Sequence, residues 1–372
     1  MRKVRKVFKS FISLRPLRFV FANFAMKKVF FRTPFKILFC AICVLFVKCK
    51  EEKKVNRSFY YWKSVFQLAD NEKVLLKRLN IEKLYVKFFD VAWSNKNHQA
   101  IPVAYIQFKD SIPANIKIIP VIYITNESLV QTPDTELKKL AANIQTLLDH
   151  LAAAKEIKFN EIQFDCDWTD GTRVKYFDLL KKIRALEKKE VLLSATIRLH
   201  QIKYFSKTGV PPVDRGMLMF YNMGKLKNAN TENSIFDVNT ASGYVAQIKD
   251  YPLKLDAALP IFTWGVHVRN NNVIGLIDNV CNSSMDSIPA LRKFKENHYS
   301  ADTAFFYHGN YFMKDDQVRI EEISPDGSLK AAKLLSSHLK NVNFTVTLFH
   351  FDKSNISRYA QQDFENIYSA FY

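Results

Sequence analysis

Two aspartates, Asp165 and Asp167, close a short apolar segment and are the residues of this sequence best suited to chemistry. Residues two apart on a β-strand point to the same side, so both carboxylates are expected to face one space. Like charges at that separation raise the pKa of one partner, which suits acid–base catalysis. The pair also suits a divalent cation, with Asp90 as a third oxygen ligand, or a structural ion pair with a basic side chain.

Charged and aromatic residues also follow the other strand-like segments, whose interiors are expected to stay apolar. Aromatic faces stack on sugar rings while carboxylates bond the hydroxyls or move protons, so this combination predicts a glycan site. Arg198 and His200 alternate with apolar neighbours and are expected to share a face, whereas His350 and Asp352 are interpreted as structural when taken as a pair. The candidate binding residues are Trp62, Asp90, Trp93, Trp168, Arg198, His200, Asn222, Trp264 and Asp352.

Strand-like and helix-like segments alternate along the chain and would position these residues. Strands are predicted over 59–66, 83–89, 116–124, 161–165, 191–197, 216–221, 255–265 and 344–351. Helices are predicted over 70–79, 174–186 and 329–339, with another that begins at Thr132-Pro133 and carries leucines on one face. Eight strands in this alternation predict an α/β fold, a (β/α)8 TIM-type barrel with its site at the carboxyl ends of the strands.

Two stretches depart from the regular alternation. No helix is predicted between residues 90 and 115, and segments 304–307 and 318–323 predict a hairpin inserted between strands seven and eight. A doubly wound open sheet is the structural alternative, and it would carry a glycine-rich phosphate loop. The chain has only nine glycines and no such loop, which favours the barrel.

The sequence from Met26 has the layout of an export signal. Basic residues precede an uninterrupted apolar segment over 37–47, which has the length of a signal-peptide core and is too short to cross a membrane. Cys49 follows, and this arrangement resembles a bacterial lipoprotein signal, in which the cysteine is lipidated and becomes the first mature residue. The acidic residues after it resemble the surface-export signal of Bacteroidota lipoproteins. An uncleaved anchor is the alternative, because Lys48 stands where a small residue is usual.

These features divide the chain into four expected segments. Residues 1–25 are interpreted as a non-native upstream extension, 26–48 as the signal peptide, 49–58 as a tether and 59–372 as the barrel domain. The resemblance implies a protein on the outer membrane or cell surface, held by lipid on Cys49.

Charge and cysteine placement exclude other classes of function. Residues 1–58 hold 16 Lys and Arg against 2 acidic residues, whereas the rest holds 39 against 34, so most of the net charge of +19 lies in the N-terminal segment. Because positive and negative charges nearly balance after residue 58, this part of the chain is not expected to present a basic surface for nucleic acid. The five cysteines show no zinc-site spacing, and no cofactor is expected.

Two short motifs resemble the chitinase and endo-N-acetylglucosaminidase family of glycoside hydrolases. Phe164-Asp165-Cys166-Asp167-Trp168 resembles the family's Asp-x-Asp-x-Glu signature on strand four, and Met219-Phe220-Tyr221-Asn222 resembles its Met-x-Tyr-Asp on strand six. The resemblance implies that Asp165, Asp167 and Tyr221 are catalytic, the last two supporting a substrate acetamido group. The family's proton donor is the Glu of the signature, and Thr169 stands at that position, where a hydroxyl cannot act as the acid.

Three hypotheses follow for the function of the barrel. The first is a glycan-active enzyme in which Asp90 or Asp352 replaces the missing acid. The second is a glycan-binding lipoprotein without catalysis, and the third is a structural lipoprotein whose mouth is filled. A further carboxyl across an open cleft favours the first, and a mouth without a cavity favours the third.

We predict that Cys49→Ser releases the protein from the membrane fraction or leaves its precursor unprocessed, because the thiol is the expected lipid acceptor. Cys43→Ser, inside the apolar segment, is the matched control and should leave both unchanged. Cell fractionation and mass spectrometry of the N-terminus measure both effects. An unprocessed wild-type N-terminus with unchanged membrane partition would contradict the lipoprotein assignment.

Overall fold

The structure is a computed structural model that describes residues 53–224, 226 and 231–372. The predictions about Met26, the signal peptide and Cys49 concern residues outside this range, and they stay predictions. The first strand begins at Lys54, within the segment expected to be a tether.

The described residues form eighteen β-strands. In chain order they are β1 (Lys54–Tyr61), β2 (Val65–Phe66), β3 (Lys83–Ser94), β4 (Gln99–Val103), β5 (Gln107–Phe108), β6 (Lys117–Ile124), β7 (Glu161–Cys166), β8 (Leu192–Arg198), β9 (Arg215–Met219), β10 (Lys254–Pro260), β11 (Thr263–Arg269), β12 (Asn272–Asp278), β13 (Leu291–Lys295), β14 (His298–Ala301), β15 (Phe305–Tyr307), β16 (Asn310–Phe312), β17 (Gln317–Glu322) and β18 (Asn343–Phe349).

The same residues form eleven α-helices and two short 3-10 helices, Asp134–Glu136 and Ala246–Asp250. No helix within the described ranges combines the length and hydropathy of a membrane span. The α-helices are α1 (Asp70–Arg78), α2 (Asn126–Gln131), α3 (Leu137–Ala153), α4 (Arg173–Leu186), α5 (Leu199–Lys203), α6 (Phe205–Thr208), α7 (Val238–Val245), α8 (Asn282–Asp286), α9 (Pro325–Ser336), α10 (Lys353–Ile356) and α11 (Gln361–Ser369).

Eight parallel strands close into a barrel. The order is β1-β18-β10-β9-β8-β7-β6-β3, and β1 also pairs with β3, which joins the two ends of the sheet. The predicted (β/α)8 barrel is therefore confirmed. The helix-free stretch after β3 is also confirmed, because β3 turns back into the antiparallel β4.

Polar side chains cross the barrel interior, so the expectation of apolar strand interiors is wrong. Along β7, Glu161, Gln163 and Asp165 alternate with three apolar residues of the hydrophobic core. Tyr60 of β1 donates a 2.5 Å hydrogen bond to Gln163, although these strands are not neighbours in the sheet. Ser194 donates to Glu161 at 2.7 Å. Such bonds offset the cost of burying polar groups inside the barrel.

The chain between β10 and α9 forms an inserted antiparallel sheet rather than the single hairpin that we expected. Its five strands lie in the order β12-β11-β17-β14-β13, and β15 pairs with β16 as a separate hairpin. The predicted seventh strand, 255–265, is in fact two strands: β10 belongs to the barrel and β11 to the inserted sheet. Side chains such as Val318, Ile320 and Phe312 give the insertion its own small core.

Asp256 provides a test of the polar barrel interior. It is 1% exposed, accepts hydrogen bonds from Arg215 at 2.5 and 2.9 Å, and accepts one from the Thr345 backbone N–H at 2.6 Å. We predict that Asp256→Ala lowers the free energy of unfolding by about 3–5 kcal/mol, since it leaves the cation of Arg215 without its partner.

The matched control is Asp178→Ala, which removes a half-exposed ion pair with Lys182 on α4. This change should cost about 1 kcal/mol or less, because solvent screens surface pairs. Urea denaturation of both variants measures the difference. Equal costs would show that the interior pair contributes no more than a surface pair.

Candidate functional site

A cavity of about 520 Å³ opens at the carboxyl ends of the barrel strands. Eight of the residues selected from the sequence line it: Trp62, Asp90, Asp165, Asp167, Arg198, Tyr221, Asn222 and Trp264. The other polar and aromatic residues of its lining are Lys87, Tyr123, Phe262, Thr263, Asp278, Asn279, Phe349 and His350.

Asp165 lies at the floor of the cavity and is 4% exposed. The Thr196 hydroxyl on β8 donates a 2.6 Å hydrogen bond to its Oδ1 atom. Burial raises the pKa of Asp165, and the neighbouring Arg198 cation opposes that rise more strongly than Asp167 adds to it. Asp165 is therefore the member of the Asp165/Asp167 pair whose pKa is raised, and burial is the main cause.

Asp167 stands above it and forms an ion pair with Arg198 at the end of β8. Arg198 Nε lies 2.5 Å from Asp167 Oδ1, and the Asp167 side chain remains 52% exposed. An exposed carboxylate with one cationic partner keeps an oxygen free for a ligand. Asp167 can therefore be both a member of an ion pair and a residue that contacts a ligand.

Asp90 completes this side of the cavity together with Lys87. Both residues belong to β3, and Lys87 Nζ lies 3.1 Å from Asp90 Oδ1. Within the ranges that the structure describes, no three His, Cys, Asp or Glu side chains form a metal-binding group. Asp90 and Asp167 each have a cationic neighbour, and Asp165 has a hydroxyl donor.

Tyr221 and Asn222 follow β9 at the opposite wall. Tyr221 is buried, and its ring packs against Phe262 and Phe349 at centroid distances of 5.6 and 5.5 Å. Asn222 adopts a left-handed backbone conformation (φ 56°), which asparagine tolerates, and its N–H donates to the Ile235 carbonyl. This turn takes the chain away from the barrel while leaving the Asn222 side chain exposed at the rim.

Trp62 and Trp264 are half-buried and belong to the aromatic lining, in which Phe349 and Phe262 lie between them. Lys87 Nζ lies 5.7 Å from the centre of the Trp62 ring. Trp264 was expected on the seventh barrel strand, but it belongs to β11 of the inserted sheet. Its Nε1 atom donates a 2.9 Å hydrogen bond to Glu321 on β17, which holds the ring at the cavity edge.

Four of the selected residues lie outside this cavity. His200 was expected on a strand beside Arg198, but α5 begins at Leu199, so the two residues do not alternate along one strand. His200 is exposed and lines a smaller adjoining depression of about 420 Å³. Trp93 lines a separate surface pocket beside α3.

Trp168 and Asp352 have mainly structural contacts. Trp168 is 2% exposed, stacks on Tyr176 at 5.2 Å and donates to the Thr208 carbonyl at 3.1 Å. Asp352 caps α10 through the Ser354 N–H and lies 3.0 Å from Lys63 Nζ. Asp352 therefore does not reach the cavity where we expected it to replace the missing acid.

Sequence reasoning missed three kinds of lining residue. Lys87 and Phe349 could have been found from the two-residue alternation of their strands, Lys83-x-Tyr85-x-Lys87 and Thr345-x-Thr347-x-Phe349. Asp278 carries no such signal, because it reaches the cavity only through the pairing of the inserted sheet. His350 was interpreted as structural together with Asp352, yet it lines the cavity without a hydrogen bond between the two.

His350 provides a pH-dependent test of the cavity wall. Its Nδ1 atom is buried without a hydrogen-bond partner, and burial lowers its pKa from 6.5 to about 4. The unfolded chain therefore binds this proton at higher pH than the folded chain does. Stability should fall as the pH falls from about 6.5 to about 4, and the imidazole should be neutral at pH 7.

We predict that His350→Gln removes about 1–3 kcal/mol of the stability loss between pH 7 and pH 4, because each pKa unit corresponds to about 1.4 kcal/mol. His150→Gln, at an exposed position of α3, is the control and should follow wild type. Chemical denaturation at a series of pH values measures the curves. Parallel curves for wild type and His350→Gln would contradict a buried neutral His350.

Comparisons with known proteins agree with this architecture. No family model matches the sequence, and no curated protein matches it. Among solved structures, the spore cortex-lytic enzyme SleL of Bacillus cereus shares 13% identity at a TM-score of 0.53, over 86% of this chain and 75% of that one. Its Bacillus megaterium counterpart shares 10% identity at a TM-score of 0.50, over 87% and 75%.

The GH18 chitinase ChiB from the chitin utilization locus of Flavobacterium johnsoniae is a weaker match, at 13% identity and a TM-score of 0.49 over 86% of this chain and 94% of that one. At these identities the likeness shows the fold alone. The chain has a closed (β/α)8 barrel similar in fold to the SleL structures.

Proposed function

We propose that this protein is an envelope lipoprotein that binds a glycan at the mouth of its barrel. The observation that carries the proposal is the cavity itself, in which the Asp165 and Asp167 carboxylates share one space with the rings of Trp62, Tyr221 and Trp264. Sugars need both features, because their ring faces are apolar and their edges carry hydroxyl groups. Aromatic rings cover the faces, and carboxylates accept hydrogen bonds from the hydroxyls.

The size of the site favours an oligosaccharide over a single sugar. The main cavity of about 520 Å³ is within the usual range for small-molecule sites. The adjoining depression of about 420 Å³ shares with it four residues: Asp167, Arg198, Tyr221 and Asn222. The two spaces therefore form a continuous cleft, and a chain of more than one sugar ring would occupy both.

The proposed ligand carries acetamido groups. The resemblance of the Asp165-x-Asp167 and Tyr221-Asn222 segments to the chitinase and endo-N-acetylglucosaminidase family supports this class of sugar. The resemblance associates Asp167 and Tyr221 with the acetamido group. Both residues line the same cavity.

Binding rather than hydrolysis is the function that these motif residues support. Thr169, at the position of the family's proton donor, is exposed, and its hydroxyl lies 3.3 Å from that of Thr172. It lines the adjoining depression and not the main cavity. A threonine hydroxyl does not donate a proton near neutral pH, so no acid acts from this position.

The envelope location rests on the N-terminal sequence. Cys49 would carry the lipid, and only a few residues would separate it from Lys54, where β1 begins. A short connection of this kind suits a receptor for an insoluble or surface-bound polymer.

We predict that Trp264→Ala weakens the affinity for N-acetylglucosamine oligosaccharides by about tenfold or more, about 1.4 kcal/mol, because it removes one stacking face. Phe306→Ala is the matched control, since Phe306 is 76% exposed on β15, which does not line the cavity. Titration calorimetry measures both variants, with cello-oligosaccharides, which lack the acetamido group, as the comparison ligand.

Equal affinities of the two variants would remove Trp264 from the site. Failure of wild type to bind either oligosaccharide would contradict the proposed function and favour a structural lipoprotein. Preference for the cello-oligosaccharide would keep a glycan site while contradicting the acetamido assignment.

A further inference from the structure

The inserted sheet contributes a carboxyl to the cavity that differs from the other three. Asp90 is paired with Lys87, Asp167 is paired with Arg198, and Asp165 is buried under a hydroxyl donor. Asp278, the last residue of β12, has no hydrogen bond and no ion pair within the described residues. It is therefore the cavity carboxyl that is most free to exchange a proton with a ligand.

The register of the inserted sheet sets where this carboxyl lies. Asp278 is directly opposite Trp264 on β11, and Trp264 is directly opposite Glu321 on β17. Side chains directly opposite one another share one face of the sheet, about 5 Å apart at Cβ. Trp264 Nε1 donates to Glu321, so the indole N–H is directed toward β17, on the side of β11 opposite β12 and Asp278.

Glu321, the other carboxyl beside Trp264, is held by hydrogen bonds and is not available to exchange a proton with a ligand. It is 1% exposed, its Oε1 accepts hydrogen bonds from Arg319 at 2.6 and 2.8 Å, and its Oε2 accepts one from the Ser234 N–H at 2.8 Å. These donors, together with Trp264 Nε1, occupy both oxygens of the Glu321 carboxylate. Glu321 thus holds Trp264 in place, whereas Asp278 is an unpaired carboxyl beside the ring on which a sugar would stack.

We propose that the protein also hydrolyses its glycan, with Asp278 of the inserted sheet as the general acid in place of the family's Glu. This inference rests on the proposed function, since the glycan must occupy the cavity. The supporting electrostatic feature is that partial desolvation raises the pKa of Asp278 above its usual value, which favours the protonated acid at mildly acidic pH.

The proposed step balances with water as the only co-reactant. The Asp278 carboxyl gives its proton to the glycosidic oxygen while the bond from that oxygen to the anomeric carbon breaks, and the bonding electrons leave with the oxygen. Water forms the new bond to the anomeric carbon, and the Asp165/Asp167 pair accepts its proton. Exchange with solvent returns a proton to Asp278 and removes one from the pair.

The test compares two substrates that differ in their need for an acid. Asp278→Asn should lower kcat/KM at least a hundredfold on an N-acetylglucosamine oligosaccharide, whose alkoxide leaving group requires protonation. On the 2,4-dinitrophenyl glycoside of the same sugar the loss should be less than about tenfold, because that leaving group departs without a proton. The Kd for the oligosaccharide should stay within about twofold of wild type.

Two controls separate catalysis from folding and from other titrations. Asp302→Asn, at an exposed ion pair of the inserted sheet, should match wild type on both substrates. Asp278→Asn should also remove the basic limb of the kcat/KM profile on the oligosaccharide. The other charged or titratable groups that line the cavity remain in this variant: Asp90, Asp165, Asp167, Lys87, Arg198, His350, Tyr123 and Tyr221.

Each contrary result has a distinct meaning. Equal losses on both substrates would overturn the assignment of Asp278 as the acid. Wild type that binds the oligosaccharide but releases no reducing sugar would overturn the hydrolytic inference and leave the binding function intact. Wild type that does not bind at all would overturn the proposed function, and with it this inference.

Discussion

The backbone pairing of β1 with β3 is the interaction on which the site depends. Ser58 to Tyr61 pair in parallel with Lys83 to Val86, and this pairing joins the two ends of an eight-stranded sheet. Closure directs the carboxyl ends of all eight strands to one mouth, so residues far apart in the sequence, such as Trp62 and Phe349, line one cavity. An open sheet would leave the same side chains along an edge.

Closure also explains the polar interior of the barrel. Alternate residues of each strand face a space that is too narrow for water to fill freely, so they must bond one another. On β7 this alternation begins with Glu161 and Gln163 in the interior and continues to Asp165 and Asp167 at the mouth. The candidate site therefore continues a row of polar side chains along β7. Glu161 and Gln163 of this row stabilise the barrel interior, and Asp165 and Asp167 line the cavity.

The inserted sheet supplies the second half of the cleft. Trp264 and Asp278 reach the cavity from neighbouring strands of this sheet, and Glu321 connects Trp264 to the Ser234 segment that follows β9. The buried Glu321–Arg319 pair lies beneath that connection. The proposed glycan binding and the inferred hydrolysis therefore both depend on a wall that is not part of the barrel.

The sequence predicted the barrel and one half of the site for identifiable reasons. Alternating strands and helices have a strong period, and the two-residue spacing of Asp165 and Asp167 correctly placed both at one cavity. The same spacing rule directs Trp168 to the side opposite Asp167, and Trp168 lines the adjoining depression but not the main cavity. His200 was misplaced because a helix begins at Leu199, and strand ends are the least regular part of the pattern.

The other half of the site depends on long-range pairing. Asp278 ends β12, a mostly exposed strand with no chemical motif, and only the register of β12 with β11 brings it beside Trp264. Local sequence does not encode such a register, because it is decided by contacts between distant segments. The lipid anchor at Cys49 stays a prediction, since it lies outside the described residues.

A crystal structure of the protein with an N-acetylglucosamine oligosaccharide at saturating concentration tests the central claim most directly. We predict a sugar ring stacked on Trp264, with its polar groups within hydrogen-bonding distance of the Asp165/Asp167 pair, and further rings in the adjoining depression. An empty cavity, or an oligosaccharide bound only elsewhere on the surface, would contradict it.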